Sequence, residues 1–428
     1  MITLLCTGDL HIGRRPTRLA SPESAGHCSC AAMWDAIVET AIRRKVDAVV
    51  LTGDVVDREN RFFEAIGPLE RGLTSLGAAN IDTFAVSGNH DFDVLPGLVD
   101  ALNEPTFHLL GRDGQWETAE LRRQGEPVAK FLGWSFPEEH VLADPLDLLG
   151  EIDPSGLPTV ALIHGDLDVP QSRYAPLSSR RLRAVPVAAW LLGHIHAPRL
   201  VDDNAGPTIL YPGSPQAMDP GETGTHGPWL MEIEPGARPR FKQLPLSRVC
   251  YDALDIDLTG VNEKSAFRTR YFDTLRTRLN HLTANAPSLE FVVWRVRLTG
   301  RTGCHGQLNE FLGEIDAEFE LTRGQTTGIV ERNTVDSRLA IDLNELARAT
   351  DPPGTLAKVL LELDAPSVDD PSQALLQDAI EAIERARQSN AYAQVTEDSP
   401  PTRDEARRLL VQQGMFLLDA LMTRKEHQ

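Results

Sequence analysis

The first half of the chain sets oxygen and imidazole side chains beside glycines, five times over, each time at the end of an apolar run. The segments are Gly8-Asp9-Leu10-His11, Gly53-Asp54-Val55-Val56-Asp57, Gly88-Asn89-His90-Asp91, His164-Gly165-Asp166 and Gly193-His194-Ile195-His196. Asp, Asn and His supply the oxygen and nitrogen ligands of Mn, Fe or Zn, and no cysteine takes part. One such segment alone is more often a turn or a satisfied core histidine. Five in order, each at the C-terminal edge of a strand, describe a site for two divalent cations.

The chemistry this suits is attack on a phosphate ester. Anionic phosphate oxygens repel hydroxide; two cations about 3.5–4 Å apart neutralise them and lower the pKa of a bridging water. Such a pair needs one shared carboxylate, for which Asp54 is the candidate. Asp9 and His11 lie two apart on an extended segment and so share a face. Asn89 offers a neutral oxygen, and His164, His194 and His196 complete the two shells. His90 stands beside Asn89, where it can protonate the leaving oxygen or stabilise developing charge. Asp91 is its catalytic companion, placed to orient it or to bond the loop backbone. The glycines at 8, 53, 88, 165 and 193 are expected to let the backbone turn sharply. The remaining histidines, His27, His108, His140, His226, His281, His305 and His427, have no such context.

The elements that must position these residues follow from the apolar pattern. Ile2–Thr7, Asp47–Thr52, Ile81–Ser87, Val128–Gly133, Thr159–Ile163 and Val187–Leu192 read as strands covered on both faces. Ala31–Arg44 and Phe62–Leu76 read as helices between them. Ile209–Tyr211 and Trp229–Ile233 read as later strands of a second sheet. This is a layered α/β domain with loops at the C-terminal strand edges. Near Pro235-Gly236 the pattern changes. Strands Ala253–Leu258 and Leu289–Leu298 flank an Arg-rich helix, Glu263–Leu282, as in a small α+β domain. Beyond Val335 the chain reads as helical. Its last helix opens with Thr402 and Glu405 in capping-box spacing and carries an apolar stripe of Ala406, Leu409, Leu410, Leu417, Ala420 and Leu421. The domains expected are 1–246, 247–334 and 335–428.

Composition excludes several classes. The chain has 428 residues, 41% of them hydrophobic and 24% charged, with a net charge of −20. No apolar run approaches the roughly 20 residues of a membrane span, and the N-terminus lacks the features of a signal peptide. The acidic total argues against coating DNA by bulk electrostatics. Cys6, Cys28, Cys30, Cys250 and Cys304 are few, odd in number and scattered, which is no disulfide framework. His27-Cys28-Ser29-Cys30 lacks the second Cys pair of a zinc site and reads as a loop before a helix. A cytoplasmic protein is expected.

The order D-x-H, G-D-x-x-D, G-N-H-D, H, G-H-x-H resembles the calcineurin-like metallophosphoesterase superfamily. The resemblance implies two packed mixed sheets flanked by helices. It implies one metal on Asp9, His11, Asp54 and His196, a second on Asp54, Asn89, His164 and His194, and His90 as the transition-state histidine. Tyr211-Pro212-Gly213-Ser214-Pro215-Gln216 and Gly221-Glu222-Thr223-Gly224 are similar to the Y-P-G-S-x-Q…E-T-G stretch of SbcD-like DNA-repair exonucleases, the YhaO-type proteins among them. That subfamily implies a manganese-dependent DNA exonuclease/endonuclease and a homodimer. It also implies a DNA-capping α+β domain, and helices that bind an SbcC/SMC-like coiled-coil ATPase. Some members end the second motif in His; here Asp57 stands there, suited to loop or outer-shell bonding rather than catalysis. Arg14, Arg15 and Arg18, with Arg268, Arg270, Arg276, Arg278, Arg295, Arg297 and Arg301, are candidate phosphate contacts. The competing reading is a phosphodiesterase or phosphatase acting on a small nucleotide or phosphoprotein.

Overall fold

The structure is a computed structural model that describes residues 1–19, 22–57, 65–152, 156–202, 206–234, 236–316, 321–365, 370–387 and 402–426. The backbone groups into two compact units. One is Met1–Leu254 with Asp273–Val296 and Phe319–Asn333; the other is Asp255–Phe272, Arg297–Glu318 and Thr334–Gln428.

The first unit is built on two mixed six-stranded sheets. Its strands are β1 (Ile2–Thr7), β2 (Ala48–Leu51), β3 (Asp82–Ala85), β4 (Phe107–Leu109), β5 (Glu117–Arg123), β6 (Glu126–Trp134), β7 (Thr159–His164), β8 (Ala189–Gly193), β9 (Arg199–Val201), β10 (Thr208–Tyr211), β11 (Trp229–Ile233) and β12 (Arg240–Gln243). One sheet runs β12-β11-β1-β2-β3-β4 and the other β5-β6-β7-β8-β10-β9. β1 to β4 are mutually parallel, as are β6, β7, β8 and β10. The strands that carry donor segments therefore all end at one edge of their sheet.

Strand periodicity explains why both faces are apolar. Leu4, Cys6, Ala48, Val50 and Phe84 of one sheet meet Phe131, Val160, Leu162, Ala189 and Leu191 of the other in a common core. The alternate residues Leu5, Val49 and Leu51 face a second core, built with Met33, Trp34, Ile37, Leu69 and Leu73 of two helices. Ala161, Ile163, Trp190 and Leu192 face a third. A period of two with both faces covered yields the near-continuous apolar runs in the sequence. The helix Cys30–Arg44 starts where the Ser29 hydroxyl accepts from the Ala32 N–H and stops at Lys45, which is left-handed with φ 54°.

Three expectations change. Trp229–Ile233 is not in the later sheet: it pairs antiparallel with β1, Leu4 opposite Met231, while Thr208–Tyr211 does join β8. The second helix is described as Ile66–Ala78; Phe62, its expected start, lies outside the described residues. The third concerns the glycines. Of the five beside donors, only Gly53 (φ 97°) and Gly165 (φ 157°) take positive φ. At Gly8, Gly88 and Gly193 the requirement is space. A Cβ at Gly193 would stand 2.0 Å from the Thr52 carbonyl oxygen, and one at Gly88 2.2 Å from an Asp54 carboxylate oxygen.

Most of a four-stranded sheet also belongs to this unit, in the order Val249–Asp257, Phe291–Thr299, Thr326–Val335, Leu321–Arg323. The last two strands went unread because their apolar residues are few. In the second unit, helices Pro352–Asp364, Asp370–Arg387 and Arg403–Glu426 share a small core of Leu363, Leu376 and Ala406. The capping box forms as spaced: the Glu405 N–H donates to the Thr402 hydroxyl, and the Thr402 N–H to the Glu405 carboxylate. The last helix buries Ala406 and Leu418, whereas Leu409, Phe416 and Leu417 are exposed. No helix among the described residues is long and apolar enough to cross a membrane.

One of these close approaches is testable. A Cβ at Gly8 would lie 2.0 Å from the Thr52 hydroxyl, itself buried without a hydrogen-bond partner. Gly8→Ala is expected to cost about 1–3 kcal/mol by overpacking. Adding Thr52→Ala should return at least half of that loss in urea denaturation; strictly additive losses would show that the two sites do not press on one another.

Candidate metal centre

Five strand exits bring the donors together. Asp9 and His11 follow β1, Asp54 follows β2, Asn89 follows β3, His164 ends β7, and His194 and His196 follow β8. Four of these residues, Asp9, His11, Asp54 and His194, have φ between 45° and 97°. That conformation is unusual for residues with a Cβ and costs on the order of 1 kcal/mol or more each. Backbone bonds between the exits hold it: Asp9 N–H to Gly53 O at 3.0 Å, and His11 N–H to Asp54 O at 2.9 Å.

The ligating atoms converge in overlapping groups. One oxygen or nitrogen from each of Asp9, His11 and His196 lies within 4.8 Å of the others, and so does one from each of Asp9, Asp54 and His164. His11 Nε2 and His196 Nε2 are 3.2 Å apart. Asn89 Oδ1 is 3.1 Å from both His164 Nε2 and His194 Nδ1. Asp54 Oδ2 sits 3.8 Å from His11 Nε2 and 3.4 Å from His164 Nε2, so it faces both groups. All seven residues expected as ligands meet in this one place.

The second atoms of these side chains are held from behind. Asp9 Oδ1 accepts the His194 N–H at 2.9 Å, while Asp9 Oδ2 is buried with no partner. Asp54 Oδ1 accepts the His90 N–H at 2.9 Å. His164 Nδ1 donates to Thr52 O at 3.0 Å, which leaves Nε2 with its lone pair outward. His196 Nδ1 lies 2.7 Å from Glu222 Oε1. His11 Nδ1 lies 3.4 Å from an Asp57 oxygen, outside hydrogen-bond geometry but close in charge. Phe136 and Tyr174 wall the site, their rings 5.5 Å from His164 and 4.7 Å from His194.

Electrostatics agree with a cation site. Burial raises the Asp9 pKa, and the Asp54 charge adds to that. Burial also opposes the Asp54 carboxylate, but His164, His11 and His90 outweigh it and hold its pKa below the usual range. Burial lowers the His194 imidazole to about 4, the neutral form a metal ligand needs. At His196 burial is again the largest influence, yet the Glu222 hydrogen bond and the surrounding carboxylates leave its pKa raised. A buried carboxylate with one unbonded oxygen, opposed imidazole nitrogens and a neutral His194 fit a pair of divalent cations.

His90 and Asp91 separate in role. The His90 ring stands edge-on to His11, centroids 4.9 Å apart, with its Nδ1 buried and unbonded; burial lowers its pKa. Asp91 is fully buried and does not reach His90. Its Oδ1 accepts the Gly88 N–H at 2.7 Å, and its Oδ2 accepts Val55 N–H at 2.7 Å and Val56 N–H at 3.3 Å. Burial pushes its pKa up to about 7 against these three donors. Of the two options for Asp91, it is the loop backbone that it bonds.

Glu222 is the residue the sequence did not reveal as part of the site. Its signal was the Gly221-Glu222-Thr223-Gly224 stretch, quoted as a signature with no role attached. At His27-Cys28-Ser29-Cys30, Cys28 and His27 approach Glu290. An Arg248 guanidinium nitrogen lies 3.2 and 3.1 Å from the two His27 ring nitrogens, and Ser29 caps a helix. The loop-before-helix reading describes the Ser29 end of that stretch.

Residues 2–198 match the family described as Calcineurin-like phosphoesterase. This part of the chain is a calcineurin-like phosphoesterase domain. Among curated proteins, the chain is 26% identical over 202 residues to the uncharacterized metallophosphoesterase YhaO of Bacillus subtilis, covering 47% of this chain and 48% of that one. It is 26% identical over 271 residues to the DNA double-strand break repair protein Mre11 of Aeropyrum pernix, covering 60% and 64%. The chain thus spans about half to two thirds of the length of these relatives. Among solved structures, a dimetal phosphatase from Danio rerio is 15% identical with a TM-score of 0.36, covering 56% of this chain and 95% of that one. All seven expected donors lie within the matched phosphoesterase span, whereas Glu222 lies beyond it.

The three bonds to Asp91 give a direct test. Asp91→Ala strands buried N–H donors, at about 1–3 kcal/mol each. The metal-free variant is expected to lose at least about 2 kcal/mol in urea denaturation; an unchanged midpoint would show those bonds to be idle.

Proposed function

We propose that this chain hydrolyses phosphodiester bonds in DNA at a dinuclear metal centre, with manganese the expected metal. The observation that carries this reading is Asp54 Oδ2, placed between the nitrogens of two donor groups. Asp9, His11, Asp54 and His196 would hold one metal, and Asp54, Asn89, His164 and His194 the other. When bound, the pair supplies Lewis acidity and a nucleophile at neutral pH. Two divalent cations against two carboxylates, Asp9 and Asp54, leave the centre at +4 − 2 = +2, which suits an anionic substrate. His90, edge-on to His11 and favoured as the neutral imidazole by burial, would bond the developing charge through its ring N–H; protonating the leaving oxygen would require its imidazolium form. Asp91 is assigned positioning, since it makes one body of the second and third donor loops.

DNA is favoured by the repair function in the printed name of one relative and by the Tyr211–Gln216 and Gly221–Gly224 stretches. Five of the candidate arginines pair with carboxylates. Arg278 is bidentate on Asp252, Arg295 bonds Glu331, Arg297 bonds Asp255, Arg301 bonds Asp419 and Arg276 bonds Asp273. Arg15 and Arg18 are exposed just past the first donor loop, Arg18 lying 3.6 Å from Glu331, and their place beside the donors makes them candidates. The reading includes a homodimer, capping by residues 247–334, and an SMC-like coiled-coil ATPase partner on the exposed Leu409, Phe416 and Leu417 of the helical tail. Five free cysteines suit a reducing cytoplasm.

Purified protein should degrade linear DNA with Mn²⁺ and not with chelator. Asp54→Ala should lose both metals by equilibrium dialysis. His90→Ala should keep both and lose activity by about 10²–10⁴-fold. Intact DNA beside rapid cleavage of cyclic nucleotides would replace the nuclease with a small-molecule phosphodiesterase, and undiminished turnover in His90→Ala would remove that residue from the chemistry.

A further inference from the structure

The Gly221–Gly224 turn reaches the metal centre through one side chain. The Glu222 carboxylate is only 11% exposed and its two oxygens are divided. Oε1 is 2.7 Å from His196 Nδ1. Oε2 accepts the Ser214 hydroxyl at 3.1 Å and the Met218 N–H at 2.9 Å. The Ser214 N–H donates back to the His196 carbonyl at 3.0 Å. His196, Ser214 and Glu222 therefore close a ring of three hydrogen bonds. The turn itself is fixed: Glu222 N–H bonds Asp219 O at 2.9 Å, and Gly224 N–H bonds Tyr251 O at 3.1 Å. The Tyr251 hydroxyl donates to Thr17 O and Met218 O.

We propose that Glu222 is the positioning residue of one metal site only, the site of Asp9, His11, Asp54 and His196. By accepting from Nδ1 it holds the proton there and directs the Nε2 lone pair toward His11 Nε2, 3.2 Å away. As an anion it also makes the imidazole a stronger donor. His164, assigned to the other site, has only the neutral Thr52 carbonyl behind it. Behind His194, the other imidazole of that site, Asp166 stands 3.5 Å from Nε2, against the 2.7 Å hydrogen bond that Glu222 makes to His196. Loss of Glu222 should weaken one and spare the other. This rests on the dinuclear reading above.

The test is Mn²⁺ binding, not activity. Metal-free wild type, Glu222→Ala and Glu222→Gln are titrated by calorimetry, with electron paramagnetic resonance to distinguish a spin-coupled pair from a single ion. Wild type should bind two ions. Glu222→Ala should bind one with wild-type affinity and the other about 10–100-fold more weakly, with the coupled signal lost at intermediate metal. Glu222→Gln, whose amide oxygen still accepts from Nδ1–H, should fall between them. It decides the matter should the alanine variant fail to fold. Two ions at wild-type affinity in a folded variant overturn the proposal. So does equal weakening of both sites in a variant that melts like wild type. Fewer than two ions in the wild type would instead overturn the dinuclear reading and leave Glu222 without a site to position.

Discussion

Two buried carboxylates at neighbouring strand ends govern this architecture. Asp9 and Asp54 lie beside one another with almost no exposure to water, an arrangement that Coulomb repulsion and lost hydration both oppose. The surroundings answer that cost. Each carboxylate takes a backbone N–H from a different loop, His194 for Asp9 and His90 for Asp54. Four imidazoles converge on the same volume. What is left over is an attraction for positive charge, local and intense within a chain of net charge −20. An acidic protein can in this way present a cationic face to phosphate where it matters, because burial removes the screening that dilutes charge elsewhere.

The loops are rigid for a reason that donor chemistry alone does not supply. Asp91 reaches from the third loop to the backbone of the second, and close glycine contacts remove the space in which either could slide. Left-handed φ at four donor residues persists only inside such a frame. Strain sits in the residues that touch chemistry, while restraint sits one layer out.

The pattern of legibility follows from range. Five donor segments could be read because each lies within a few residues of the strand that delivers it, and apolar runs announce those strands. The link from Glu222 to His196 spans 26 residues, and no local pattern encodes it. Trp229–Ile233 looked like its predecessor in sequence, yet it pairs with β1 across more than 220 residues. The arginines' partners are hidden for the same reason: Arg301 meets Asp419 at a separation of 118 residues. At Gly8 and Gly193 the glycine itself was visible, but not the atom pressing on it.

His11 and His196 touch across 185 residues. His11 follows a strand of one sheet and His196 a strand of the other, so this donor pair exists only where the two sheets are packed, unlike the short-range ligand pairs of small zinc fingers. A complete donor set is therefore a report on sheet packing: a strand out of register would part the pair and leave the site short of a ligand.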